Sequence, residues 1–178
     1  MDAPTEAIER LTPHSRPVDL EAIFNARYAQ IARAIARVIR DPARAEELAV
    51  DVLLKWTRYP QAQGDHAAGW LYRTAIRMAL DELRHERRRA RFERLVEFIS
   101  RAPTPEDLQL ERDERDRVRG VLAVLPKRQA ELLLLRHEGL SYDEVAAALA
   151  LNPASVGTLL ARAQHAFRKE YVRRHGHA

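Results

Sequence analysis

The chain has 178 residues, 30 Lys and Arg against 26 Asp and Glu, and no cysteine. The missing thiols exclude disulfides, thiolate metal sites and a cysteine nucleophile, and the length allows one domain or two small ones. The net charge of +4 is unevenly placed: Arg73 to Arg94 holds eight arginines and four acids, whereas Glu106 to Arg117 holds six acids and three arginines. Such blocks fit an anionic partner for the first and a shield or mimic role for the second, although two solvated faces give the same pattern. The opening "MDAPTEAIERLTPHSRP" lacks the basic start and apolar core of a signal peptide, and no apolar run approaches the roughly 18 residues of a membrane span. A cytoplasmic location is expected.

Residues 1–17 are expected to be a flexible N-terminal segment. Leu20, Phe24, Arg27 or Tyr28, Ile31, Ile35, and Val38 or Ile39 then recur at helical spacing. Asp41-Pro42 stops this first helix and supplies an N-cap with proline at the first helical position of the second. The second helix places Ala45, Leu48, Ala49, Val52, Trp56 and Tyr59 inward, with Glu46, Glu47 and Asp51 on another face. After a short polar loop, with Asp65 as a cap, a third helix runs from about His66 past Arg84. It buries Ala67, Leu71, Thr74 or Ala75, Met78 or Ala79, and Leu83. Residues 18–95 thus read as one small helical domain and residues 96–115, with two prolines and dense charge, as an acidic linker.

The second domain is expected over residues 116–173, followed by a tail at 174–178. "VRGVLAVLP" reads as a helix ended by Pro126, and "KRQAELLLLRHEG" as another with Gly139 as its C-terminal stop. Ser141 and Glu144 fit a capping box, and Asn152-Pro153 repeats the cap and proline signal for the last helix. Val145, Leu149, Val156, Leu160, Ala163 and Phe167 form the inward set of these last two helices. No run has strand period, so the fold class is all-α, two small helical domains with a helix-turn-helix in the second.

No His-Glu-x-x-His pair, glycine-rich phosphate loop, nucleophile elbow or triad occurs. The reading is therefore non-enzymatic, with no catalytic residue, cofactor or metal. Three stretches in order carry a resemblance: "DPARAEELAVDVLLKWTRY", "AGWLYRTAIRMALDELRHERRR" and "VLPKRQAELLLLRHEGLSYDEVAAALALNPASVGTLLARAQ". Together they resemble the extracytoplasmic-function (ECF) sigma factors, two-domain initiation subunits of bacterial RNA polymerase. The resemblance spans about residues 18 to 173.

It implies that Glu46, Glu47, Asp51 and Lys55 dock on core RNA polymerase, although the acids would also serve as a solvated helix face stabilised by Arg44 and Lys55. It implies contact with melted promoter DNA by Gln61, Gln63, Asp65 and His66 in the loop, and by Trp70, Arg73, Arg77 and Met78 on the third helix. Rings and cations in combination suit unstacked bases, while Trp70 alone, on the inner side, reads first as core. Arg84, Arg87 and Arg88 extend the basic track for phosphates. Arg136, Ser155, Thr158, Leu159 and Arg162 are the expected contacts to the duplex. The family also implies an anti-sigma partner, and the linker acids Glu106, Asp107, Glu111, Asp113 and Glu114 are expected to mimic nucleic acid.

Two departures stand out. Met78 occupies the place of an asparagine that holds a flipped base, and a thioether cannot donate an amide's hydrogen bonds. Gly157, Leu159 and Gln164 replace three Arg or Lys sites of the recognition helix, which predicts weaker and less salt-dependent binding to the upstream element. That thin charge leaves open a protein-binding adaptor that has lost DNA reading, or a stand-alone helix-turn-helix regulator.

Overall fold

The computed structural model describes residues 20–62, 67–100 and 114–176. Among these residues it holds seven α-helices, one 3-10 turn and no strand. The first unit comprises α1 (Leu20–Val38), α2 (Pro42–Thr57), the turn Pro60–Ala62 and α3 (Ala67–Ser100). The second comprises α4 (Glu114–Leu122), α5 (Lys127–His137), α6 (Tyr142–Leu149) and α7 (Pro153–His175). Each of α1, α2 and α3 packs on the other two, and α7 packs on α4, α5 and α6. α3 also packs on α5 and α6, so the two units meet along one seam.

Local signals set most helix ends. Asp41 accepts hydrogen bonds from the Ala43 and Arg44 amides at 2.9 and 3.2 Å, and Pro42 follows as the first helical residue. Ser141 and Glu144 complete a capping box: Glu144 N donates to Ser141 Oγ at 3.2 Å, and Ser141 N donates to Glu144 Oε2 at 2.7 Å. These bonds, the backbone amide of Ser141 first, hold the Glu144 carboxyl below its ordinary pKa. Asn152 caps α7 through the Ala154 amide at 3.0 Å. Gly139 stops α5 at φ +91°, with Leu140 N bonded to Leu135 O and Gly139 N to Arg136 O, the two bonds of a Schellman motif.

The same motif ends α6, where Leu151 N reaches Ala146 O and Ala150 N reaches Ala147 O. Here the left-handed residue is an alanine, Ala150 at φ +50°. A Cβ in that conformation costs about 1 kcal/mol or more, partly offset by the restriction alanine places on the unfolded chain. Ala150→Gly is therefore expected to stabilise the protein by about 0.5–1 kcal/mol, raising Tm by roughly 2 °C in a thermal melt.

Several sequence expectations are corrected. Tyr59 is not inward: α2 ends at Thr57, so Tyr59 leaves the helical period and is 48% exposed. α3 continues to Ser100, five residues into the expected linker. No glycine or proline interrupts the sequence from Trp70 to Ala102, and its Arg, Glu, Leu and Ala residues favour helix without needing an apolar stripe. α4 begins at Glu114, inside the expected linker, and α7 runs two residues past Arg173. Glu114 accepts hydrogen bonds from the Tyr171 hydroxyl at 2.8 and 3.1 Å, so it is tied to α7 and not part of a loose acidic strand. Residues 1–17 and the acids Glu106, Asp107, Glu111 and Asp113 lie outside the described residues.

Candidate polymerase and nucleic-acid interfaces

α2 buries Ala45, Leu48, Ala49, Val52, Leu53 and Trp56, which leaves Glu46, Glu47 and Asp51 exposed on its other side. Glu47 is paired with Arg44 at 2.8 Å, and Arg44 also reaches Glu82 at 3.0 Å. These carboxylates, Glu47 first, raise the Arg44 pKa. Glu46 and Asp51 make no ion pair among the described residues. Leu54 lies one turn beyond Asp51 and is 48% exposed. Leu54 thus puts an apolar side chain on the acid-bearing side of α2, next to Asp51. The sequence reading missed Leu54 because the inward set of α2 is complete without it. Lys55 is exposed beside this patch, its Nζ 3.5 Å from Met78 Sδ.

Trp56 links that helix to the next element. Its Nε1 donates to Ala62 O at 2.9 Å, which fixes the Pro60–Ala62 turn and leaves Gln61 exposed. Gln63, Asp65 and His66 lie outside the described residues. Trp70 is half-buried against the core, its ring 5.9 Å from that of Tyr59. Met78 is also half-buried and packs against the core, which a thioether tolerates better than an amide.

The basic track of α3 departs most from expectation. Arg73 donates to Ala148 O at 2.6 Å, and Arg77 donates to Glu131 Oε1 at 2.8 Å. Arg84 reaches Leu125 O at 3.0 Å and Ala123 O at 3.4 Å; Arg87 reaches Gly120 O at 2.7 Å. These four guanidiniums, expected to face phosphates, face the second unit instead. Burial and then the neighbouring Arg77 push the Arg73 pKa down. Arg88 remains exposed, as expected.

In the second unit α6 and α7 meet at 90°, the geometry of a helix-turn-helix. Thr158 and Arg162 are exposed on α7. Ser155 Oγ donates to Asn152 O at 2.7 Å, which leaves its lone pairs as acceptors. Leu159 is corrected: it is half-buried and packs against the core, not out toward thymine methyls. Arg136 donates to Leu140 O at 2.6 Å and lies 5.5 Å over the Tyr142 ring. A Cβ at Gly157 would meet that ring at 3.5 Å, ordinary contact, so Tyr142 covers the stretch of helix that Gly157 leaves bare. Tyr142 is 46% exposed and adds a ring to this face. Its sequence signal, an aromatic residue directly after the Ser141 cap, was absorbed into the capping box.

Residues 23–89 match the family model for Sigma-70 region 2, and residues 115–163 match that for Sigma-70, region 4. The chain is 34% identical over 157 residues to the ECF RNA polymerase sigma factor SigK of Mycolicibacterium vanbaalenii, covering 83% of this chain and 79% of that one. It is 32% identical over 90 residues to the ECF RNA polymerase sigma factor SigL of Mycobacterium tuberculosis, 49% of each chain. Among solved structures it is similar in fold to the sigma factor RpoE of Bartonella quintana, crystallised with the anti-sigma factor NepR. That similarity has a TM-score of 0.53 and 18% identity, covering 85% of this chain and 96% of the other. The chain belongs to the ECF RNA polymerase sigma factors, the subunits that direct polymerase to promoters.

Proposed function

We propose that this sigma factor docks on core polymerase through the α2 patch of Glu46, Glu47, Asp51 and Leu54, with Lys55 at its edge. The observation that supports this reading is the exposure of Glu46, Glu47 and Asp51 on the side of α2 away from its buried face, with exposed Leu54 one turn beyond Asp51. The segment from Gln61 to His66 and the start of α3, with Trp70 and Met78, engage the melted promoter strand. The basic residues Arg73, Arg77, Arg84, Arg87 and Arg88 hold its phosphates. Arg136, Tyr142, Ser155, Thr158 and Arg162 dock the second unit on the upstream duplex. With few cations on α7, that contact relies on shape and on the Tyr142 ring more than on charge.

In this reading the protein contributes no catalytic group; the polymerase performs the chemistry, in the cytoplasm where it works. An anti-sigma protein is a further partner, by analogy with the NepR complex of the Bartonella factor. The test is reconstituted transcription. Core polymerase plus the purified chain, given a library of linear promoter fragments, is expected to yield discrete start sites that core alone does not use. Transcripts indistinguishable from those of core alone would exclude the reading.

A further inference from the structure

We propose that the protein binds a small anion carrying a diphosphate group, held where α1 faces α4 and the turn between α5 and α6. None of the residues assigned above to polymerase or promoter DNA lines this place.

The site follows from the period of α1. Ile31, Ile35 and Val38 take its inner side, which leaves Gln30, Arg33 and Arg37 together on an exposed one. Arg33 and Arg37 both line two neighbouring open clefts, of about 300 and 440 Å³. In the first they stand with Gln30, Tyr72 and His137. The left-handed turn at Gly139 ends α5 there, so His137 and Glu138 reach the cleft. In the second they stand with Arg115 and Arg119 of α4, over the apolar side chains Ala36 and Val118. Clefts of this size take small ligands.

Arg33 and Arg37 are one helical turn apart, and so are Arg115 and Arg119. Like charges at that spacing repel, and this corner holds two such pairs. The nearby acids are already engaged. Glu138 pairs with Arg37 at 2.7 Å; Asp116 pairs with Arg119 at 3.3 Å and with Arg40 at 2.7 Å. Glu114 accepts from the Tyr171 hydroxyl at 2.8 Å.

Donors are left over. The side chains of Gln30, Arg33, Tyr72 and His137 make no hydrogen bond or ion pair among the described residues. Arg119 Nε is buried and has no acceptor among them, an unmet donor of a kind that folded proteins rarely keep. A guanidinium takes a phosphate through paired N–H groups. Two of them on successive turns suit two linked phosphates, with Tyr72, His137 and Gln30 supplying neutral donors. Because α1 lies in the first unit and α4 and α5 in the second, the bound anion touches both, and its binding and their packing favour one another.

The test is titration of the full chain with inorganic pyrophosphate, GDP and ADP, read by calorimetry and by the rise in Tm. Saturable one-to-one binding is expected, and the ratio of pyrophosphate to nucleotide affinity separates a free diphosphate from a nucleotide. Arg33→Ala should weaken binding roughly tenfold or more, and Tyr72→Phe and His137→Ala several-fold. Arg168→Ala, an exposed arginine on α7 that removes the same charge, should leave it unchanged. Arg33 and His137 are exposed and Tyr72→Phe keeps the ring, so each variant should melt as the native chain does. Absence of saturable binding, or equal losses in Arg33→Ala and Arg168→Ala, would overturn the proposal. So would a chain that ignores all three anions but loses affinity for a DNA duplex in Arg33→Ala, since the cleft would then be a DNA contact.

Discussion

Arg77→Ala is expected to open the molecule. Glu131 is nearly buried beneath α3, and its other cation, Arg128 Nη1, lies 4.0 Å away. Removing one partner of a fully buried ion pair costs about 3–5 kcal/mol, because a charge is left without compensation. The Arg77 side chain is 40% exposed and Arg128 remains, so a cost of about 2–3 kcal/mol is expected here. Separation of the units hydrates Glu131 and avoids that cost, so the variant should shift toward the open form by roughly 30- to 150-fold without unfolding.

Dyes on cysteines placed at Arg27 in α1 and Arg168 in α7, both exposed, would report the shift as a fall in energy transfer. A companion variant, Arg77→Ala with Glu131→Leu, removes the stranded carboxylate and should return most of the signal. Unchanged energy transfer in Arg77→Ala would show that the Glu131 pair does not hold the seam.

The second large effect is expected at Trp56, 6% exposed in the core of the first unit. Trp56→Ala should cost about 3–5 kcal/mol through lost burial and the cavity left behind, lowering Tm by about 10 °C or more in calorimetry. Trp56→Phe separates packing from hydrogen bonding. It keeps an aromatic ring but strands the Ala62 carbonyl, at a cost of about 1–3 kcal/mol. Because that bond fixes the turn leading into residues 63–66, Trp56→Phe should weaken binding to a single-stranded promoter fragment more than binding to core polymerase. Equal losses in both assays would mean that the turn does not position the strand-binding loop.

The caps were legible in the sequence because they are local. Asp41-Pro42, Ser141 with Glu144, Asn152-Pro153 and Gly139 each satisfy backbone groups within a few residues, and the structure uses all four as expected. The inward stripes were legible for the same reason, except where a helix packs on two sides. Ile76 and Leu80 are buried at 1% and 0% but fall outside the stripe read for α3, which is covered by α1 and α2 and again by α5 and α6. Ala150 gave no turn signal, since alanine is a poor occupant of the left-handed region and only the surrounding Schellman bonds hold it there.

The arginines of α3 mark the limit of sequence reading. A guanidinium binds a phosphate, a carboxylate or a helix C-terminus through the same N–H groups, so eight arginines within 22 residues identify the need for acceptors but not which acceptors serve. Only the fold shows that α4, α5 and α6 supply them for Arg73, Arg77, Arg84 and Arg87. Leu54 and Tyr142 were missed for a simpler reason: each is an exposed apolar side chain whose meaning depends on its surface neighbours.

A polymerase subunit docked through α2 has to bind core RNA polymerase directly. Glu46, Glu47 and Asp51 are exposed while the two units are packed together, so the seam does not hide the patch. The native chain and a Glu46→Ala, Glu47→Ala, Asp51→Ala variant, each fluorescently labelled, would be titrated with core polymerase in parallel. The native chain is expected to bind saturably and the variant at least tenfold more weakly, with both melting at similar temperatures. Native protein that fails to bind, or a variant that binds equally well, would contradict docking through α2.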